Sequence, residues 1–230
     1  MPLMDEFQEQ RDKIKAAPLK VKAKYFADYY LKWTLAGLAI LIFLVIMIVN
    51  LVTKKEEMLY VSFVNFRDRG LVEENVSQVF VQQYVEDPKK QDITLDYNLY
   101  ILADENTNLT DEEALRKYSF SDQQKLSMLL MAGEVDLMVT GEDVLSRFAE
   151  NDYVLPLEEV YSEAELQPLK DAGLLLMSKG KAVGICVDGS QLVKDNLEYN
   201  GENKDTIKIY AGFCSNKRLE MAKQFLGFLK

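Results

Sequence analysis

No histidine occurs anywhere in the sequence, and cysteine occurs only twice, at Cys186 and Cys214. The first absence removes the commonest zinc ligand and the commonest general base, and with them Ser-His-Asp catalysis. Two thiols this far apart cannot build a cysteine-rich metal site. Both lie in strand-like runs, AVGICVD and IKIYAGFCS. Two readings stay open for them: a disulfide, if the domain stands outside the cytoplasm, or two buried free thiols. There is no internal repeat or low-complexity tract. GKAVGICVDGS is no phosphate loop, because Gly-Lys-Ser/Thr does not follow at the required spacing. DENTNLTDEEAL opens like a calcium loop, with Asp104, Asn106 and Asn108 at alternate positions. It then fails, with Leu109 where glycine is needed and Leu115 where the bidentate glutamate is needed. The pairs Glu73-Glu74, Glu112-Glu113 and Glu158-Glu159 read as solvated faces, since glycosidase chemistry needs carboxylates facing a cleft from separate elements. No catalytic residue, metal site or cofactor is expected, and the chain does not read as an enzyme.

Basic charge is scarce where acidic charge is plentiful. Residues 1–53 hold seven Lys and Arg against five Asp and Glu, while residues 54–230 hold twenty against thirty-two. The second part therefore carries a net charge of -12. Such a surface repels phosphate backbones and excludes nucleic acid as a partner, and it also keeps the domain soluble.

Charge is absent altogether from Trp33 to Thr53, WTLAGLAILIFLVIMIVNLVT. As a helix these residues would reach ~31 Å, the thickness of a bilayer's hydrocarbon core. A soluble core helix is rarely apolar on every face. Tyr25, Phe26, Tyr29, Tyr30 and Trp33 gather at the entrance like an interfacial aromatic belt, and Lys32 can snorkel to the headgroups. Lys15, Lys20, Lys22, Lys24 and Lys32 precede the span against Asp28 alone, a bias that places the N-terminus in the cytoplasm. A cleaved signal peptide fits less well, for the charged lead is long and no A-x-A-like site follows. The expected organisation is a cytoplasmic segment at 1–31, a transmembrane helix at 32–53 that meets the lipid bilayer, and an extracytoplasmic α/β domain at 57–230. The cytoplasmic segment is either an amphipathic stretch on the inner leaflet or a lead-in that only sets topology.

Strand and helix signals then alternate. MLYVSFVN (58–65) and VDLMVT (135–140) are nearly continuous apolar runs, the mark of strands buried on both faces. ITLDYNLYIL (93–102) alternates and is β-branched, and DTIKIYAGFCS (205–215) reads as a last strand. LVEENVSQVFVQQYVED (71–87) places Val72, Val76, Val79, Phe80 and Tyr84 on one helical face. Ser121 and Gln124 read as a capping box for a helix over 121–133 that stops at Gly133. EDVLSRFAEN (142–151) is a further helix. Ser162 and Glu165 cap another, and Lys179-Gly180 reads as a hairpin turn within 174–188. NKRLEMAKQFLGFLK closes with Leu219, Ala222, Phe225, Leu226 and Leu229 on one face. Strands separated by helices imply crossovers, hence an α/β fold with a mainly parallel sheet and flanking helices.

Two segments resemble a known family. KLSMLLMAGEVDLMVTGEDVLSRFAENDYVLPLEEV (125–160) is similar to extracellular solute-binding proteins of ABC importers, in which a helix ending in an AGEVD-like turn leads into a buried strand, a helix and a g-x-l-x-pLd stretch. NKRLEMAKQFLGFL (216–229) resembles their C-terminal helix. The resemblance implies one lobe of a periplasmic-binding-protein-like fold, preceded here by one transmembrane helix. It also implies binding rather than catalysis. The departures are specific. Only residues 161–204 separate PLEEV from the last strand, too few for a second lobe. No lipoprotein cysteine follows the apolar run, and no tryptophan lies in the domain to stack on sugars.

In open α/β sheets, ligands sit beyond the carboxyl ends of the strands. Those ends fall at Asn65, Phe66 and Arg67 after the first strand, and at Thr140, Gly141 and Glu142 after the third; Asn65, Arg67, Thr140, Gly141 and Glu142 are the candidate ligand contacts. Gly141 would let a ligand approach the backbone, beside the free N–H groups of the next helix. The alternative is a plain helix cap at Thr140. The expected function is a membrane-anchored extracytoplasmic binding or interaction module. Its counterpart is a structural accessory subunit of a cell-envelope complex, bound to a membrane or envelope protein partner and to no small molecule. No small-molecule ligand is named by the residues.

Overall fold

β1 (Glu56–Val64) sends Leu59, Val61 and Phe63 to one side and Tyr60 and Val64 to the other. That two-residue alternation, apolar on both sides, is what a strand sandwiched between helical layers requires. The computed structural model describes residues 18–29, 31–102, 112–201 and 206–230. It divides into two units, Met1–Lys54 and Lys55–Lys230. The first contains α1 (Leu19–Tyr29) and α2 (Leu31–Thr53). Within α2 the stretch Leu31–Val49 is long and apolar enough to cross a membrane, and none of it is buried in protein.

The second unit continues from β1 through β2 (Phe66–Asp68), a π turn (Glu73–Ser77), α3 (Gln78–Tyr84) and β3 (Gln91–Leu99). Then come α4 (Glu112–Met131), β4 (Leu137–Gly141), α5 (Glu142–Glu150) and a 3-10 turn at Leu157–Glu159. α6 (Glu163–Asp171), β5 (Leu175–Ser178), β6 (Lys181–Cys186), α7 (Gln191–Asn196), β7 (Leu197–Tyr199), β8 (Ile209–Phe213) and α8 (Leu219–Leu229) follow.

Six strands form one mixed sheet in the order β3-β1-β4-β8-β6-β5, and β2 and β7 pair separately. β3, β1 and β4 are parallel, β8 returns antiparallel between β4 and β6, and β5 is antiparallel to β6. Four of the six strands thus run the same way. The parallel half is the one with helical crossovers. The other half contains a hairpin whose two turn residues, Lys179 and Gly180, both have positive φ (47° and 78°). That is the backbone a two-residue hairpin turn demands.

Helices cover both faces. On one, Phe80 of α3 and Phe225, Leu226 and Leu229 of α8 pack on Leu59, Val61, Phe63, Leu137, Val139 and Phe213. Phe225 meets Phe80 edge to face at 4.9 Å and Phe63 at 6.4 Å. On the other face, Leu126 and Leu130 of α4 and Val144, Leu145 and Phe148 of α5 pack on Val64, Met138 and Tyr210.

The capping box of α6 is formed: Ser162 N–H and Oγ both donate to the Glu165 carboxylate, at 2.8 and 2.7 Å. The one expected at Ser121 is not a cap, because α4 enters from Glu112 and runs through it. No glycine or proline lies between Glu112 and Ser121 to stop the helix. Gly133, at φ 63°, ends it as its left-handed C-cap residue. Cys186 and Cys214 are free thiols, and burial pushes the Cys214 thiol well above its ordinary range. Asp104, Asn106 and Asn108 lie outside the described residues.

Candidate functional site

β1 and β4 are adjacent and parallel, so their carboxyl ends lie side by side. There Asn65 leaves β1 with φ 65°, a conformation asparagine tolerates better than most residues. Its side chain acts as an extra rung between β1 and the segment after β3. Nδ2 donates to Ile101 C=O at 2.8 Å, and Ile101 N–H donates to Oδ1 at 2.6 Å. The Asn65 backbone is used too, its N–H by Leu99 C=O and its C=O by Asn200 N–H. Asn65 is therefore buried with both amide atoms engaged.

Thr140 and Gly141 end β4, and Gly141 is the N-cap residue of α5. Both are buried, whereas Glu142 is exposed and donates its N–H to Lys208 C=O at 3.0 Å. Arg67 is exposed on β2, opposite Glu198 of β7. The five residues expected at the strand ends thus divide. Asn65, Thr140 and Gly141 converge in the interior, while Arg67 and Glu142 face water.

What occupies the convergence is Tyr199, at the end of β7. Its ring packs edge to face on Phe66 at 5.2 Å. Its hydroxyl points at Asn65, Thr140 and the Gly141 N–H. These approaches are close but poorly aligned: neither the Tyr199 hydroxyl nor the buried Thr140 hydroxyl makes a hydrogen bond of good geometry. A Cβ on Gly141 or on Gly201 would collide with the Tyr199 hydroxyl. Two glycines far apart in sequence make the slot that the phenol fills. Burial, with the nearby Asp143 charge, pushes the Tyr199 phenol up to about 12, so it is neutral at physiological pH. The sequence reading missed Tyr199, because only the fold brings residues 65, 140, 141, 199 and 201 together.

The other polar focus lies at the opposite end of β4. Asp136, with no exposed surface, accepts the Tyr60 N–H at 2.8 Å, and Arg218 Nε stands 2.7 Å from the same oxygen. Arg218 also reaches the Glu57 carboxylate at 2.9 Å and donates to the Glu57 and Glu134 carbonyls. Burial lifts the Asp136 carboxyl above the ordinary range, against the pull of Tyr60 N–H and Arg218. The Arg218 guanidinium would be lowered by burial, but Asp136 and Glu57 together raise it. At 2.7 Å Arg218 and Asp136 stand at ion-pair distance, although the Arg218 Nε–H is poorly aligned and the second Asp136 oxygen has no hydrogen-bond partner. The pair fastens the start of α8 to the amino ends of β1 and β4.

Among the described residues, two surface hollows stand out. One, of about 350 Å³, lies beside the β2–β7 ribbon and is lined by Phe66, Arg69, Lys194, Glu198 and Tyr199 among others. The larger, about 440 Å³, is a groove between α6 and the β5–β6 hairpin, with Leu166, Leu175, Met177 and Ala182 as its apolar surface.

No protein-family model and no curated protein matches the chain. Solved structures similar to part of it include CpMnBP1 with mannotriose bound, at 18% identity and a TM-score of 0.34, over 56% of this chain and 27% of that one. Another is an ABC transporter solute-binding protein from Agrobacterium vitis S4 with bound D-mannitol, at 16% identity and a TM-score of 0.29, over 57% of this chain and 27% of that one. The chain thus spans about a quarter of the length of each. So loose and partial an overlap brings neither a ligand nor a mechanism to this protein.

Proposed function

We propose that this chain is a membrane-anchored binding module, held by α2, with its acidic α/β domain outside the cytoplasm, and that it meets its partner on its surface instead of closing around a solute. The observation that carries this reading is Tyr199. The crevice beyond the carboxyl ends of β1 and β4, where open α/β folds accept ligands, is filled by the protein's own phenol. Clamping a solute also needs two rigid lobes and a hinge. Apart from the two three-residue strands β2 and β7, the described strands belong to one sheet.

A second reading, a structural accessory subunit of an envelope complex, is favoured by one feature. Phe120, Met128 and Met131 of α4 are 62%, 61% and 68% exposed. Their spacing places them along one side of the helix, and exposed methionine is common on adaptable contact surfaces.

Protease added to intact cells is expected to remove residues 58–230 and spare the N-terminal lysines. Protection of the domain would reverse the orientation. Calorimetric titration of the full chain with sugars, amino acids and short peptides, alongside X-ray scattering, tests the mode of binding. A sugar or amino acid bound near micromolar or tighter, about -8 kcal/mol, with compaction of the domain, would overturn the surface-binding reading.

A further inference from the structure

The two edges of the six-stranded sheet are not equivalent. At one, β3 carries Asp92 and Asp96, held by Lys55 and Lys125 at 3.0 Å each. Charge on an edge strand is a standard defence against strand addition. At the other edge, β5 reads Leu-Leu-Met-Ser, with neither charge nor proline. Its backbone is half used. Cys186 N–H donates to Leu174 C=O, while the Leu174 N–H goes to Leu169 C=O; in the antiparallel register that this one bond sets, the next residue, Leu175, turns its N–H and C=O away from β6. Among the described residues no other segment accepts or donates at Leu175–Ser178.

The groove lies against this open edge. Leu175 and Met177 share its floor with Ala182, α6 forms its wall with Leu166, and Met177 is left 52% exposed. Leu176, between them, points to the opposite face and is buried with Leu145. Alternate side chains facing a groove beside an unpaired edge are the two elements of strand addition: backbone bonds for affinity and side-chain pockets for selectivity. The groove's charged lining is two carboxylates and one ammonium: Glu158, which accepts Ala182 N–H at 3.2 Å, Glu163, which opens α6, and Lys170 in the last turn of α6.

We propose that the edge of β5 and this groove take an extended peptide segment of a partner protein as an added strand, apolar at alternate positions and carrying basic side chains toward Glu158 and Glu163. This rests on the reading of the chain as a surface-binding module. Charge selects this occupant over a second copy, whose domain would bring its own net charge of -12 against the first.

The test uses the full chain in nanodiscs of zwitterionic lipid, with empty discs subtracted. A fluorescein-labelled hexapeptide alternating lysine and valine is titrated beside its glutamate-valine counterpart. The lysine peptide should bind at least about tenfold tighter, and it should slow hydrogen exchange of the Leu175 amide. Leu175→Pro removes the outward N–H and should abolish binding. Glu163→Gln, on an exposed turn, should leave the melting temperature unchanged and weaken the lysine peptide a few-fold. Equal binding of the two peptides, no slowing at Leu175, or binding indifferent to Glu163→Gln overturns the proposal. So does protection of Leu175 that grows with protein concentration in the absence of peptide, which would make a second copy the occupant. Any of these results, with the domain still digestible from outside the cell, removes the β5 site and leaves the anchored-module reading standing.

Discussion

β4 is apolar along its length and polar at both ends, but the two ends are built differently. At the amino end, Asp136 is a buried charge answered by Arg218 and the Tyr60 N–H. At the carboxyl end, Thr140 and Tyr199 are neutral hydroxyls, buried together without a well-aligned bond between them. A buried charge without its partner is expensive, so the first end must be kept closed by strong pairing. A neutral hydroxyl with poor geometry costs far less, so the second end can tolerate imperfect filling. The amino end is fastened by charge, the carboxyl end by close packing around the Tyr199 hydroxyl and by the Asn65 bonds.

The sharpest way to break this contrast is at the fastener. Asp136→Ala leaves Arg218 without its nearer carboxylate and Tyr60 N–H without an acceptor. It should destabilise the domain by about 3–5 kcal/mol, read as a lower denaturation midpoint by near-ultraviolet circular dichroism. A loss under 1 kcal/mol would make the two ends alike.

At the carboxyl end, the firm element is Asn65. Asn65→Ala removes both bonds to Ile101 and places a Cβ-bearing residue without a polar side chain at φ 65°. The orphaned Ile101 groups and the left-handed backbone together should cost about 2–4 kcal/mol. Asn65→Gly keeps the backbone freedom and should recover about 1 kcal/mol of that, which separates the strain from the lost bonds.

Gly141→Ala tests the filling itself. The backbone at Gly141 has φ -66°, open to any residue, so only space is at stake. The new methyl would meet the Tyr199 hydroxyl, with Ile207 Cδ1 at 2.8 Å and Asp143 Oδ1 at 2.9 Å close behind. A loss of about 1–3 kcal/mol is expected. Tyr199→Phe should restore part of it in the double variant, and simple additivity would mean that the hydroxyl does not fill the slot.

Asp96 of β3 is a third case, a buried charge paired with a half-exposed lysine. Burial alone would raise its carboxyl, but Lys125, the Asn98 N–H and the Tyr60 hydroxyl outweigh it and hold it below the ordinary range. A depressed carboxyl stabilises the fold fully above the unfolded-state pKa and loses that contribution as the pH falls through the lower folded value. Lys125→Met should therefore weaken the domain at neutral pH by under about 1 kcal/mol, since Lys125 is half exposed, and the difference should vanish in acid.

Much of this scaffold was legible in the sequence because it is written in periodicity. The continuous apolar runs around Val61 and Val139 can only be strands buried on both faces, and the Leu219–Leu229 stripe can only be a helix lying on them. Strand direction is not written there. The return of β8 against β4 is decided by the path of the chain, and the apolar pattern of IYAGF is the same either way. The site was half legible for the same reason. Strand ends locate Asn65 and Thr140, but nothing local marks Tyr199 as their neighbour, since the room for its hydroxyl beside Gly141 exists only once β4 and β7 are brought together.

The smallest effect expected is the most informative about the carboxyl end. Thr140 is buried completely, and its hydroxyl has no well-formed partner. Valine has nearly the same shape. Replacing a buried, poorly bonded hydroxyl with a methyl removes a desolvation cost and little else. Thr140→Val should then change stability by no more than about 0.5 kcal/mol. If the Thr140 hydroxyl instead holds Tyr199 in place, the variant should lose about 1 kcal/mol or more and the Tyr199 phenol should titrate higher still, because a Thr140 hydrogen bond favours the phenolate. Ultraviolet titration of the tyrosines in both proteins distinguishes these outcomes. An unchanged melt with an unchanged titration means that packing between Gly141 and Gly201, and not hydrogen bonding, keeps the crevice filled.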